Sequence, residues 1–211
     1  MEQEHPLDPG NVLHLLHGDA EIPGAQHFIV VRDSLISGPS DVSPIPHARK
    51  RREFWTEFEG CLLPPERSEE NLDRLNREVF GAHELGAALN ISPEDRPVVI
   101  WTTRTWPDRL FLWWVFDAIE RQRLERSRFW VAESSSRVAI DSDVADPWGF
   151  GKHGPDSLSA AFSSATPLSE ELLQTGARLW REYAGESPLP LDDSRRRGQR
   201  PFPDLASVAE T

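Results

Sequence analysis

The chain has 211 residues, 38% of them hydrophobic, with eight Trp and ten Phe, which is enough apolar surface for one core and a small helical appendage. A net charge of −12 opposes polyanions at long range and counts against nucleic acid and anionic lipid as partners. No apolar run reaches membrane-span length, the opening MEQEHPLDPG lacks the basic start and apolar core of a signal peptide, and Cys61 has no second cysteine to pair with; the expectation is a cytoplasmic protein.

Residues 1–10 are polar and contain Pro6 and Pro9, a lead-in with little to order it. Val12 to Leu16 is nearly continuously apolar and predicts a first strand buried on both faces. Phe28 to Val31 predicts a second. The link between them is short for a parallel crossover, so either the crossover is very short or the two strands are not parallel neighbours. Ser/Pro-rich sequence follows to Pro46, and then Phe54, Trp55, Phe58 and Leu62 share one helical face. Pro64-Pro65 ends that helix; Ser68 with Glu69 and Glu70 starts another, with Leu72, Leu75 and Val79 as its apolar stripe.

Val98 to Trp101 predicts a third strand. Pro107 and Asp108 then open a helix whose first half, LFLWWVF, is apolar all round and must be buried, Trp113 and Trp114 included. Phe129 to Ala132 predicts a fourth strand ending at Glu133, and Ser134 to Pro147 reads as loop or weak edge strand. The Gly- and Pro-rich DPWGFGKHGPDS marks a boundary or a functional loop. Thr166 with Pro167 at the first helical position opens a helix lined by Leu168, Leu172, Leu179, Trp180 and Tyr183 and ended by Gly185. The tail from Ser187 wraps or frays.

Alternating strands and helices predict an α/β, Rossmann-like, mostly parallel sheet flanked by helices, with a helical C-terminal segment. The expected division is an α/β domain over 11–147 and a loop plus helical segment over 148–211 packed on it.

In such sheets ligands bind just beyond the carboxyl ends of the strands. That rule selects Asp19, Asp33 and His17 as catalytic candidates, two carboxylates and an imidazole at the ends of the first two strands. They could hold a divalent cation, but no spaced metal motif accompanies them, so no metal is assigned and phosphate or hydroxyl recognition is the reading. The bland alternative is an Asp that only accepts backbone N–H bonds in a turn. Gly38 shapes a turn exposing backbone N–H groups, and the run from Arg49 to Arg52, with Arg49 and Arg52 as its candidates, supplies an anion clamp; the alternative is a solvated helix face with one of the four side chains turned inward. At the third strand Trp101, Thr103, Arg104 and Asp108 complete the ligand-binding set, Trp101 with core packing as its alternative. No nucleophile elbow, Walker loop or dinucleotide motif occurs, and no cofactor is indicated.

The strand ending in Gly18-Asp19, the element Asp33-x-Leu35-x-x-Gly38-Pro39, the basic segment with Arg49 and Arg52 and the junction Trp101 to Leu112 resemble the bacterial family catalogued as domain of unknown function 1835. Weaker likeness continues through Phe150-Gly151, Leu158, Trp180 and Pro188. The family label carries no general activity. Many members place an acidic-His-Asp stretch where this chain has Thr103-Arg104-Thr105, so any chemistry of those groups is lost or replaced here.

The functional expectation is an enzyme or enzyme-derived protein that binds a small anionic or polar molecule, such as a phosphorylated one, at the strand ends. A non-catalytic interaction or regulatory module is the alternative, and a homodimer is compatible with either.

Overall fold

The computed structural model describes residues 7–18, 21–31, 35, 40–41, 49–57, 96–134, 154–187, 189–197 and 202. The first apolar run forms β1 (Leu13–His17), buried at every residue including its two histidines. β2 (His27–Val31), β3 (Val98–Thr102), β4 (Phe129–Glu133) and the short β5 (Thr166–Pro167) complete a sheet of order β2-β1-β3-β4-β5 among the described residues. The first four strands are parallel; β5 runs antiparallel to β4.

β1 and β2 are parallel neighbours, with Leu13 opposite His27 and His17 opposite Val31, so the link through Pro23 and Gly24 is the very short crossover. Gly18, at φ +76°, makes the first turn out of β1 while its N–H donates to Val31 O at 2.8 Å; a left-handed backbone there suits glycine. The chain leaves β1 toward β2 on one side and returns as β3 on the other. That reversal of strand order makes the carboxyl ends of β1 and β3 a topological switch point.

The helices are α1 (Trp106–Gln122), α2 (Pro155–Ser163), α3 (Glu170–Tyr183) and α4 (Leu189–Arg197), and residues 49–57 are also helical. Strand alternation sorts the core into two layers. Leu13, Leu15, Val98, Ile100, Phe129 and Val131 face the layer built by α1 and α3; Leu16, Val99, Trp101 and Ala132 face Leu158, Ala161 and Phe162 of α2. α1 is buried along most of its length, with Trp113 at 0% and Trp114 at 6% exposure, as an all-round apolar sequence requires.

Two expectations change. The helix placed from Thr166 begins at Glu170, where Ser169 Oγ accepts the Leu172 N–H at 3.1 Å and Glu170 and Glu171 face the positive helix end. Thr166 and Pro167 instead pair with Val131 and Trp130; a proline without an N–H is tolerated on so short an edge strand. Pro155, read as the end of a Gly/Pro loop, is the first residue of α2, following Gly154 as N-cap. Of the two expectations for the tail, wrapping is what is seen: it forms α4 and returns Phe202 to the core, 3% exposed and edge-on to Trp113 at 5.7 Å. The helix expected around Phe54, Trp55, Phe58 and Leu62 is seen over 49–57; its remainder, the second helix expected from Ser68 and the boundary at 147/148 lie outside the described residues. Leu168, Leu173 and Trp180 share one core with Leu13 and Ile100.

Candidate functional site

At the switch point the end of β1 delivers His17, and the turn from β3 into α1 delivers Thr103, Thr105 and Asp108. His17 Nδ1 lies 2.9 Å from Asp108 Oδ1, with both side chains at 0% exposure. The Thr103 hydroxyl donates a short hydrogen bond to Asp108 Oδ2. Thr103 Oγ1 in turn lies 3.0 Å from Thr105 Oγ1 and accepts the Thr105 N–H at 3.2 Å. The local fold explains the geometry. Pro107 fixes the first turn of α1, Asp108 follows within that turn, and the positive end of the helix favours its carboxylate. Phe111, one turn further on, stacks against the imidazole with centroids 5.5 Å apart and planes at 23°.

A carboxylate only accepts, so His17 Nδ1 is the donor nitrogen toward Asp108. An imidazole held in one tautomer by a buried carboxylate is the arrangement used in general-base chemistry. Thr103 and Asp108, expected to contact ligand, are engaged with each other and with His17; they orient the imidazole.

Beside this cluster the end of β4 contributes Glu133. Its Oε1 accepts from Arg104 Nε at 2.9 Å and its Oε2 from Arg109 NH2 at 2.9 Å. Arg104 is exposed at 65%, whereas Arg109 is 6% exposed and lies over the Phe202 ring, 5.5 Å from its centroid. Ser134 Oγ, after β4, is 3.3 Å from Ser157 Oγ in the first turn of α2. β1, β3 and β4 thus present titratable groups at one edge of the sheet.

Trp101 lies away from that edge. It is fully buried against α2, its Nε1 donates to His14 Nδ1 at 3.0 Å, and its ring stacks on Phe162 at 6.3 Å. Strand alternation accounts for this: Trp101 points to the opposite face from Ile100. In the basic run Arg49 and Arg52 are exposed and Arg51 is the buried one, its guanidinium 5.5 Å from the Phe54 centroid and 5.6 Å from that of Trp55. Arg51 also faces Tyr183, whose phenol donates to Leu35 O at 2.7 Å. Burial raises the Tyr183 pKa, and the Arg51 charge opposes the rise.

Asp19, Asp33 and Gly38 lie outside the described residues. Sequence reasoning named His17 and Asp108 without joining them, and it passed over Arg109, Glu133 and Arg51 as site groups. One signal was available for Arg51: four consecutive basic residues on a helix turn only one side chain inward. Comparison with family models, curated proteins and solved structures finds no significant match to the chain.

Proposed function

We propose that the chain is an enzyme or enzyme-derived protein that binds a small anionic or polar molecule at the carboxyl ends of β1 and β3. His17 serves as the proton-accepting group and Arg104 as a charge partner. The observation that carries this reading is the meeting of His17, Asp108 and Thr103, from residues far apart in sequence, at the switch point of a parallel sheet. The first turn of α1 adds backbone N–H groups that favour an anion. Asp19, Asp33, Gly38, Arg49 and Arg52 belong to the proposal on sequence grounds alone. Membership of domain of unknown function 1835 and a cytoplasmic location are proposed on the same grounds.

The test is a thermal-shift titration with inorganic phosphate and with a sugar phosphate. A ligand at a hundred times its Kd stabilises by about 2.7 kcal/mol. The Tm is expected to rise with concentration, and Arg104→Ala is expected to abolish the rise. No rise at any concentration refutes the reading.

A second reading, a non-catalytic interaction module, is favoured by the full burial of His17 and Asp108, because the same bonds pin α1 to β1. His17→Asn discriminates. Under the first reading the anion-dependent shift falls with little change in the Tm of the unliganded protein; under the second the Tm itself falls and the shift, if any, is retained.

A further inference from the structure

On the other face of β1, His14 is fully buried and its two ring nitrogens have opposite roles. Trp101 Nε1, which can only donate, points at His14 Nδ1 from 3.0 Å, so Nδ1 is an acceptor. His14 Nε2 lies 2.9 Å from the carbonyl of Pro9, so Nε2 carries the hydrogen and donates. Both bonds exist together only for the neutral Nε2–H tautomer. Adding a proton at Nδ1 sets two N–H groups against each other at a distance of a hydrogen bond.

Among the described residues, that proton meets an apolar layer. Phe162 of α2 packs on the imidazole at 5.8 Å and the Trp101 ring at 5.9 Å. Leu158 and Ala161 of α2 and Val99 of β3 fill the same layer. Among the described residues, the charge of His27 of β2 opposes protonation, and the Asp8 carboxylate is taken up capping the Pro9–Asn11 turn, accepting the Gly10 N–H at 3.0 Å. Burial is the largest cause holding the His14 pKa below its ordinary 6.5, the Pro9 carbonyl opposes it, and the His27 charge adds to it.

We infer that His14 is an acid-sensitive latch: protonation at Nδ1 breaks the Trp101 contact that joins β1 to β3, while the Nε2–H bond to Pro9 stays. The latch is independent of what the site at the strand ends binds. Its sign follows from linkage. A histidine kept neutral in the fold contributes stability that is full above pH 6.5 and is lost as pH falls below it, because the unfolded chain then takes up the proton the fold refuses.

His14→Gln keeps an acceptor for Trp101 and a donor for Pro9 but does not titrate. Melting curves of the two proteins from pH 8 to pH 5 at fixed ionic strength are expected to run together above pH 6.5 and to separate below it, the wild type losing more Tm. Parallel curves overturn the inference. Hydrogen exchange of the wild type, corrected for intrinsic rates, reads the same event without a variant. Protection at the β1–β3 seam, residues 13–15 and 98–100, is expected to fall between pH 7.5 and pH 5.5 while α1 and α3 keep theirs; unchanged protection, or equal loss in all elements, overturns it.

Discussion

Asp108 concentrates the chemistry of the site in one side chain. Both of its oxygens accept hydrogen bonds, from His17 and from Thr103, with no water-exposed surface to compensate their loss. Asp108→Ala strands two buried donors, each costing about 1–3 kcal/mol when left unsatisfied. Asp108→Asn keeps an acceptor for His17 Nδ1 and a donor that Thr103 Oγ can accept, so it is expected to destabilise less. Urea unfolding of both variants checks the order; equal losses would show that shape and not hydrogen bonding holds the cluster. His17 and Asp108 were each visible in the sequence as polar residues at the ends of apolar runs. Their pairing was not, because 91 positions separate them and only the sheet order brings β1 beside β3.

At the scale of elements, the α1–α3 pair is the main packing unit above the sheet. Gly176 of α3 lies against α1 so closely that a Cβ would collide with the Phe116 ring, with Trp113 Cδ1 3.2 Å away. Gly176→Ala is therefore expected to cost about 1–3 kcal/mol through overpacking, although alanine favours a helix. A Tm equal to or above the wild type would show that the helices can separate without loss. The two helices are also joined by charge: Asp117, almost fully buried, accepts from Arg121 Nε and Arg181 Nε, each at 2.6 Å, and Arg181 also reaches Glu120. α1 ends with Arg123 at φ 54°, ψ 38°, and Leu124 N–H returns to Ile119 O at 3.1 Å. A side chain in that left-handed conformation costs about 1–2 kcal/mol, so Arg123→Gly is expected to raise the Tm. A lower Tm would mean that the exposed arginine contributes more than its backbone strain removes.

For the whole molecule, the −12 charge acts over the Debye length of about 8–10 Å at ordinary salt. A duplex contact needs several phosphates neutralised at once. Arg104, an exposed cation at the strand ends, is itself paired with Glu133. Gel-shift titration at moderate salt is expected to show no complex with DNA or RNA; a complex whose affinity falls steeply with salt would reverse that expectation. No described helix is long and apolar enough to cross a membrane.

The sequence by itself determined β1 to β4 and the buried helix, because these follow from local apolar runs whose lengths and boundaries are written in neighbouring residues. It located the end of β1 and the opening of α1 for the same reason. The start of α3 was misplaced because Thr166-Pro167 and Ser169-Glu170 are both valid openings locally, and pairing with β4 chooses between them. Only the tertiary structure decided that β1 and β2 are parallel, that Arg51 rather than Arg49 or Arg52 turns inward, and that Trp101 belongs to His14 while His17 belongs to Asp108. Those choices depend on which face of a strand meets which helix, a relation between distant segments that hydrophobic periodicity does not encode.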